Sequence, residues 1–256
     1  MGTALITGAS AGLGVEFARQ LAAQRLDLVL VARDEQRLTR LATELTAAYG
    51  IAAEVLPADL ADRAQLQRVA DRVADAGRPV DVLVNNAGFG PGRALLDVDI
   101  AAEERLLDVL GRAVLVLSLT AADAMRGRGR GQIVNVASVA GFLATGTYSA
   151  SKRYVIVVTQ SLAAALTGTG VTATAICPGF VRTEFHDRAG RETAHLPEYA
   201  WIRPETVVRQ GLADARRGRP ISVPTWRYKA AAALLGIAPN RVVSHRSLVS
   251  RRAERQ

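Results

Sequence analysis

A tyrosine and a lysine four residues apart are the clearest chemical signal in this chain of 256 residues. Tyr148 and Lys152 begin a predicted helix, Tyr148–Leu166, and residues at this spacing share one helical face. A free tyrosine has a pKa of about 10, and an ammonium held nearby stabilises the phenolate and lowers that pKa toward neutrality. Ser138 follows a predicted strand, where its hydroxyl can hydrogen-bond a reacting oxygen. Each feature alone is common on protein surfaces, but together they predict proton transfer at a substrate oxygen.

A glycine-rich turn early in the chain predicts a site for a phosphorylated ligand. The residues Thr7–Gly14 (TGASAGLG) lie between a predicted strand, Thr3–Thr7, and a predicted helix from about Leu13 to Gln24. Glycine has no Cβ, so the backbone N–H groups of such a turn and the N-terminus of the helix can approach a pyrophosphate. A tight structural turn without a ligand is the alternative interpretation.

The residues after the second predicted strand bear on which dinucleotide would bind. In dinucleotide-binding folds, a carboxylate at the end of that strand accepts from the ribose 2′-OH of NAD, whereas an arginine suits the 2′-phosphate of NADP. Here Ala32 occupies the position of that carboxylate, and Arg33 follows it. Asp34 counts against NADP, unless it caps the next helix as aspartate often does. The sequence therefore favours NADP(H) over NAD(H).

Short apolar runs alternate with longer helical patterns, which predicts βαβ units on a parallel sheet. The runs lack polar alternation, as expected of strands that are covered on both faces. The predicted strands are Thr3–Thr7, Asp27–Ala32, Ala52–Leu56, Asp81–Asn85, Gln132–Ala137, Val171–Cys177 and Ile221–Val223. The longer predicted helices after the first are Asp34–Ala48, Glu103–Met125, Tyr148–Leu166 and Pro204–Ala215. The predicted fold class is α/β, a doubly wound parallel sheet (Rossmann fold).

One catalytic domain is expected over residues 1–224, followed by a basic C-terminal helical extension over residues 225–256. Within the domain, residues 179–204 are mixed, polar and aromatic, which predicts a long loop or short helices acting as a lid over the site. The aromatic residues of this segment are Phe180, Phe185, Tyr199 and Trp201. They indicate a partly apolar substrate.

The positive charge of the chain is concentrated near its end. The formal net charge is +8, and residues 200–256 contain 12 of the 32 basic and 3 of the 24 acidic residues. One interpretation is a solvated or subunit-packing appendage, and the alternative is a helix that contacts an anionic membrane surface or an acidic carrier. No base-reading motif accompanies the charge, so nucleic acid is not expected as a partner.

Composition and the remaining reactive residues exclude several classes of protein. Hydrophobic residues make up 49% and charged residues 22% of the chain, which is typical of globular proteins. One cysteine excludes a disulfide framework and indicates a cytoplasmic protein. No apolar run reaches the roughly 18–20 residues of a membrane span, and the start lacks a signal-peptide pattern. His186, His195 and His245 lack metal-ligand spacing, so no metal is expected.

Taken together, these motifs resemble those of the short-chain dehydrogenase/reductase family over about residues 2–183. The shared motifs are T-G-x-x-x-G-x-G at Thr7–Gly14, Asp59-Leu60, N-N-A-G at Asn85–Gly88, Ser138, Y-x-x-x-K at Tyr148–Lys152 and Pro178-Gly179. The resemblance implies an enzyme that transfers a hydride between NADP(H) and a carbonyl or alcohol substrate. It also implies a homodimer or homotetramer built on the long helices.

The resemblance assigns roles to the matched residues. Tyr148 would exchange a proton with the substrate oxygen, Lys152 would lower the tyrosine pKa and hold the nicotinamide ribose, and Ser138 would orient the carbonyl. Asp59 would meet the adenine ring, and Asn85 would support the sheet and the cofactor. The residues expected at the dinucleotide are Thr7, Gly8, Ser10, Gly12, Leu13, Gly14, Arg33, Asp59, Leu60, Asn85, Ala87, Gly88, Tyr148, Lys152, Pro178, Gly179, Val181 and Thr183.

One position departs from the family pattern. The family commonly has an asparagine in the long helix before the fifth strand, where it helps to hold a water in a proton relay to the lysine. Leu110 stands at that place here. Slower turnover is therefore expected, and the alternative is a cofactor-binding protein with a regulatory or scaffolding role and little turnover.

Overall fold

Seven parallel strands form a central sheet in the computed structural model, which describes residues 2–90, 95–185 and 197–230. Along the chain the strands of this sheet are β1 (Thr3–Thr7), β2 (Asp27–Ala32), β3 (Ala53–Pro57), β4 (Val82–Asn85), β5 (Gly131–Val136), β6 (Val171–Ile176) and β9 (Ile221–Ser222). Their order across the sheet is β3-β2-β1-β4-β5-β6-β9, so the direction of winding reverses between β1 and β4. Ligands bind at such a reversal, beyond the carboxyl ends of the strands.

Helices connect the strands and cover both faces of the sheet. They are α1 (Gly12–Ala23), α2 (Glu35–Tyr49), α3 (Arg63–Ala74), α4 (Ile100–Leu107), α5 (Ala113–Arg128), α6 (Thr147–Ala165) and α7 (Pro204–Arg216). Shorter turns are a π-helical segment, Asp108–Arg112, between α4 and α5, and 3₁₀ turns at Val139–Phe142 and Glu198–Ala200. None of the helices in the described residues combines the length and the apolar character needed to cross a membrane.

Two apolar cores lie on opposite faces of the sheet. Alternate residues of β1 supply them, since Ile6 packs into one core and Leu5 into the other. The first core is filled from α1, α2 and α7, for example by Phe17, Leu38 and Val207, and the second from α3, α5 and α6, for example by Val69, Leu117 and Leu162. The predicted doubly wound α/β fold is confirmed, and burial on both faces explains why the strands lack polar alternation.

The long helix predicted over Glu103–Met125 differs from the structure. It begins earlier, at Ile100, where the Asp99 side chain caps α4 by accepting from the Ala101 N–H at 3.3 Å. It is also interrupted, because Asp108–Arg112 adopts the wider π-helical turn. Apolar periodicity does not reveal an interruption of this kind, because the helix on either side keeps nearly the same buried face.

The expected lid contains strands that the sequence analysis did not predict. β7 (Phe180–Val181) and β8 (Trp201–Ile202) pair in parallel, with Phe180 opposite Trp201 and Val181 opposite Ile202. Two-residue strands are too short to produce a recognisable period. Residues 186–196, in the middle of the lid, lie outside the described residues.

The expected C-terminal extension begins with a short helical segment, residues 226–230. Tyr228 in this segment reaches back to the lid: its hydroxyl donates to the Ala200 carbonyl at 2.7 Å and accepts from the Phe180 N–H at 3.3 Å. A Cβ on Gly179 would lie 2.1 Å from the Tyr228 ring, so glycine is required where this ring packs. Residues 231–256, and with them most of the predicted basic extension, lie outside the described residues.

Candidate active site

The glycine turn presents the N-terminus of α1 without a side-chain cap. Gly8 and Gly12 have φ angles of +67° and +55°, which favour glycine. α1 starts after Ala11, and within the described residues no side-chain hydrogen bond caps its N-terminus, whereas aspartates cap α2, α3 and α4. Uncapped N–H groups at a helix N-terminus bind anions. The turn therefore fits the pyrophosphate of a dinucleotide.

A side-chain tether holds this turn against the end of β4. The buried Thr7 hydroxyl accepts from the N–H groups of Asn86 and Ala87 at 3.0 and 3.1 Å. The Asn86 amide donates to the carbonyls of Thr7 and Gly8 at 3.0 and 3.2 Å. Thr7 was expected at the dinucleotide, and its hydroxyl is bonded to the loop after β4. Asn86 was not singled out by the sequence analysis, although the N-N-A-G motif contains it.

Tyr148 and Lys152 lie side by side at the carboxyl ends of β5 and β6. Both are buried, with 8% and 5% of their surface exposed, and the Lys152 Nζ lies 5.7 Å from the centroid of the Tyr148 ring. Nζ donates to the Val136 carbonyl, the last of β5, at 2.8 Å. Burial lowers the pKa of Lys152 to about 8, and the nearby Cys177 acts in the opposite direction. The ammonium is thus held next to the phenol that it is expected to activate.

Ser138 follows β5 and caps the 3₁₀ turn that leads toward α6. Its hydroxyl oxygen accepts from the Ala140 N–H at 3.1 Å, and the residue is half-buried. The next N–H, of Val139, donates to the Pro178 carbonyl at 3.0 Å, which joins the ends of β5 and β6. Ser138 and Pro178 therefore lie at the same edge of the sheet as Tyr148.

Leu110 is fully buried in the π-helical segment. A Cβ on Gly88 would lie 2.8 Å from the Leu110 Cδ2 and 3.8 Å from the Lys152 Nζ, so both side chains flank this glycine. Leu110 belongs to a small apolar cluster whose buried members are Leu106, Val109, Leu110 and Tyr148, with Ala61, Ala87, Phe89, Ala140 and Phe185 packed around them. The leucine thus lies in the wall of the site.

The ends of β2 and β3 form the far end of the cleft. Arg33 is exposed, and Asp34 caps α2 by accepting from the Arg37 N–H at 3.0 Å. The Asp34 carboxylate also lies 3.4 Å from the Arg37 guanidinium, so its charge is paired. The structure therefore agrees with the interpretation of Asp34 as a helix cap.

Asp59, the residue expected at the adenine, is bonded to an arginine from α4. Arg105 donates to its carboxylate at 2.5 Å, and the Ala61 N–H donates at 3.0 Å. Burial raises the pKa of Asp59, but these hydrogen bonds and the charges of Arg105 and Arg33 outweigh it, and the pKa falls below its usual value. Neither Arg37 nor Arg105 was predicted, because nothing in the local sequence joins them to this edge of the sheet.

Asn85 is buried in a chain of polar side chains that crosses the core. Its amide donates to Asn135 at 2.9 Å and to Ser118 at 3.1 Å. Asn135 donates in turn to the Thr159 hydroxyl at 2.9 Å. The network joins β4, β5, α5 and α6 through buried side-chain hydrogen bonds.

The lid residues reach the site from the other side. The Phe185 ring lies 6.1 Å from the Tyr148 ring, centroid to centroid, and a Cβ on Gly12 would lie 3.2 Å from the Thr183 side chain. Val181 is buried in the core next to the sheet. The structure thus brings the glycine turn, the residues predicted to be catalytic and the start of the lid to one edge of the sheet.

Other residues that were expected to bind the dinucleotide differ in how exposed they are at this edge of the sheet. Ser10 and Leu13 in the glycine turn are partly accessible, and Gly88 is exposed beside Lys152. Leu60 is buried in the apolar core that also contains Leu66 and Val69 of α3.

The match to a family model decides the identity of this fold and site. The model, described as short chain dehydrogenase, matches residues 2–194. The chain belongs to the short-chain dehydrogenase/reductase family. It is an NAD(P)-dependent oxidoreductase that acts on CH–OH or C=O groups.

Three proteins illustrate what this oxidoreductase is similar to. Ketoacyl reductase HetN of Nostoc sp. is 36% identical over 182 residues, which are 70% of this chain and 63% of that protein. A short-chain dehydrogenase from Sphingobium yanoikuyae, solved in complex with NADPH, is 34% identical with a TM-score of 0.84, over 91% of this chain and 93% of that one. The bulky-bulky ketone specific alcohol dehydrogenase from Comamonas testosteroni is 29% identical with a TM-score of 0.79, over 93% and 95%.

Proposed function

We propose that this oxidoreductase uses NADP(H) to interconvert a partly apolar ketone and its alcohol. The observation that supports this most is the placement of the Tyr148 phenol, buried beside the Lys152 ammonium and beneath Phe185. A bound nicotinamide would supply or accept the hydride. The uncapped N-terminus of α1 would hold its pyrophosphate, and Lys152 would hold its ribose.

In the direction of reduction, residues of this chain orient the substrate carbonyl and protonate its oxygen. The Ser138 hydroxyl hydrogen-bonds the carbonyl and fixes its orientation. Tyr148 donates its phenolic proton to the oxygen as negative charge develops there, and the Lys152 ammonium stabilises the phenolate that remains. Oxidation of the alcohol reverses these steps, with Tyr148 as the base.

A preference for NADP(H) over NAD(H) is supported by the charges at the end of β2. Arg33 is exposed there, and Arg37 lies one helical turn further. Of the two acids that follow Arg33, Asp34 and Glu35, Asp34 is paired with Arg37, which also pairs with Glu184. Guanidinium groups bind a 2′-phosphate through charge-assisted hydrogen bonds. The similar Sphingobium yanoikuyae enzyme was solved with NADPH.

An apolar substrate is supported by the residues around Tyr148. Val109 shares its apolar cluster, and Phe89, Ala140 and Phe185 pack against that cluster. A carbonyl that reaches the phenol therefore brings its substituents against hydrocarbon. The similar proteins include one specific for bulky ketones and one named as a ketoacyl reductase. We infer a ketone with at least one large apolar substituent, such as an acyl chain, a steroid-like ring system or an aryl group.

Three finer proposals concern location, assembly and the basic extension. A single cysteine suits the reducing cytosol. A homodimer is supported by exposed apolar side chains on the long helices, namely Leu107, Leu119, Tyr154 and Val157. The basic extension remains a candidate contact for an anionic membrane surface or an acidic carrier.

A panel of ketones with both nicotinamide cofactors tests the proposed function. NADPH consumption is followed with aryl ketones, steroid ketones and ketoacyl thioesters, and NADH is compared at equal concentration. Turnover of at least one bulky ketone with NADPH is expected. NADPH binding without turnover of any ketone, in the wild type and in Leu110→Asn, would instead favour a regulatory or scaffolding protein.

A further inference from the structure

The Lys152 ammonium meets polar groups on some sides and hydrocarbon on another. Toward β5 it donates to the Val136 carbonyl at 2.8 Å, and Tyr148 precedes it by one turn on α6. Cys177 at the end of β6 is the other titratable side chain that acts on it, and burial raises the pKa of that thiol to about 12, so the thiol stays neutral. Leu110 lies on the side of α4 and α5, across Gly88.

The charged residues near Leu110 are directed elsewhere. Within the π-helical segment, Asp108 accepts from Arg112 at 2.8 Å, and Arg112 also donates to the Ala61 carbonyl at 2.8 Å. Leu106 and Val109 extend the apolar surface on either side of Leu110. In the described residues, this side of Lys152 thus offers methyl groups and no side-chain hydrogen-bond partner.

We propose that Leu110 is a positioning residue that keeps the α4–α5 side of Lys152 dry, so that the protonation of the ammonium depends on the cofactor side of the cleft. The inference rests on the proposed function, in which Lys152 acts through Tyr148. An ammonium without a full set of hydrogen bonds in an apolar wall loses its proton more readily than a hydrated one. The pKa of Lys152, lowered to about 8 by burial, agrees with this wall.

Leu110→Asn changes the polarity of the wall at nearly constant side-chain size. The amide oxygen of the asparagine can accept a hydrogen bond from a neighbouring ammonium, directly or through one water, and this favours the charged lysine. Leu110→Met keeps the wall apolar and serves as the matched control. The account therefore predicts that the pKa of Lys152 rises in the first variant and stays constant in the second.

The chain allows this to be measured at a single residue. Lys152 and the exposed Lys229 are its only lysines, so Lys229→Arg leaves one lysine in the protein. With ¹³Cε-labelled lysine, the carbon shift of Lys152 is followed against pH in the cofactor-free protein, for the wild-type site, Leu110→Asn and Leu110→Met. NADPH binding and thermal unfolding confirm that each variant is folded.

A midpoint below about 9 is expected in the wild-type site, with an upward shift of about one pH unit in Leu110→Asn and no shift in Leu110→Met. Equal midpoints in all three folded proteins would overturn the proposal. A wild-type midpoint near the ordinary lysine value of about 10.4 would also overturn it, even if Leu110→Asn fails to fold. The titration needs no substrate, so absence of ketone turnover would contradict the proposed function without affecting this result.

Discussion

At the scale of single residues, the motifs indicated which side chains would meet but not what else would bind them. Tyr148, Lys152 and Ser138 lie at one edge of the sheet because helical spacing and strand ends determine their positions. Arg105 and Asn86 were missed. Arg105 reaches Asp59 from a helix 46 residues away, and such a contact depends on packing that a local motif does not encode.

Replacement of Arg33 tests the cofactor preference. We expect Arg33→Ala to raise the KM for NADPH by about tenfold, because a charge-assisted hydrogen bond to the 2′-phosphate is lost. The KM for NADH should change little. Arg40→Ala, which removes an exposed arginine further along α2, is the control. Steady-state kinetics with both cofactors measure the effect, and a parallel rise for NADH and NADPH would contradict it.

At the scale of elements, the strands were easier to predict than the helix ends and the lid. The central strands β1, β2 and β4 are buried on both faces, so each is mainly an apolar run, such as LVLV within β2. The short β7–β8 pair is instead held by contacts between distant residues. Tyr228 bonds to the Phe180 N–H and to the Ala200 carbonyl, where the two strands begin, and no pattern near residue 228 indicates this partner.

Removal of the Tyr228 hydroxyl tests how this short pair is held. Tyr228→Phe leaves the ring on Gly179 but removes the bonds to Phe180 and Ala200. We expect the free energy of unfolding to fall by about 1 kcal/mol. Tyr199→Phe, at an exposed ring, is the control. Urea unfolding measures both, and equal stability of Tyr228→Phe and the wild type would show that the hydroxyl is not needed.

At the scale of the whole molecule, a buried lysine makes stability depend on pH. The pKa of Lys152 is about 8 in the folded protein against 10.5 for the unperturbed group. Between these values the unfolded chain binds a proton that the folded chain does not, so the free energy of unfolding rises with pH in this window. Below pH 8 the full cost of burying the charge is present, about 3 kcal/mol at most.

Lys152→Met removes this dependence. In cofactor-free protein we expect the stability of Lys152→Met relative to the wild type to be greatest at pH 7 and to decrease by about 2–3 kcal/mol toward pH 10. Lys229→Met, at an exposed position, is the matched control. Urea unfolding at the two pH values provides the comparison. A difference that stays constant or grows with pH would mean that Lys152 is not destabilised by burial.

In the proposed reaction, Tyr148 exchanges the proton with the substrate oxygen. The most direct test of this exchange is single-turnover hydride transfer from NADPH to a ketone in Tyr148→Phe, compared with Tyr154→Phe, which lies on the same helix with its ring exposed. We expect a rate at least about 100-fold lower in Tyr148→Phe, with unchanged NADPH binding, and a wild-type rate in Tyr154→Phe. Equal rates in Tyr148→Phe and the wild type would contradict it.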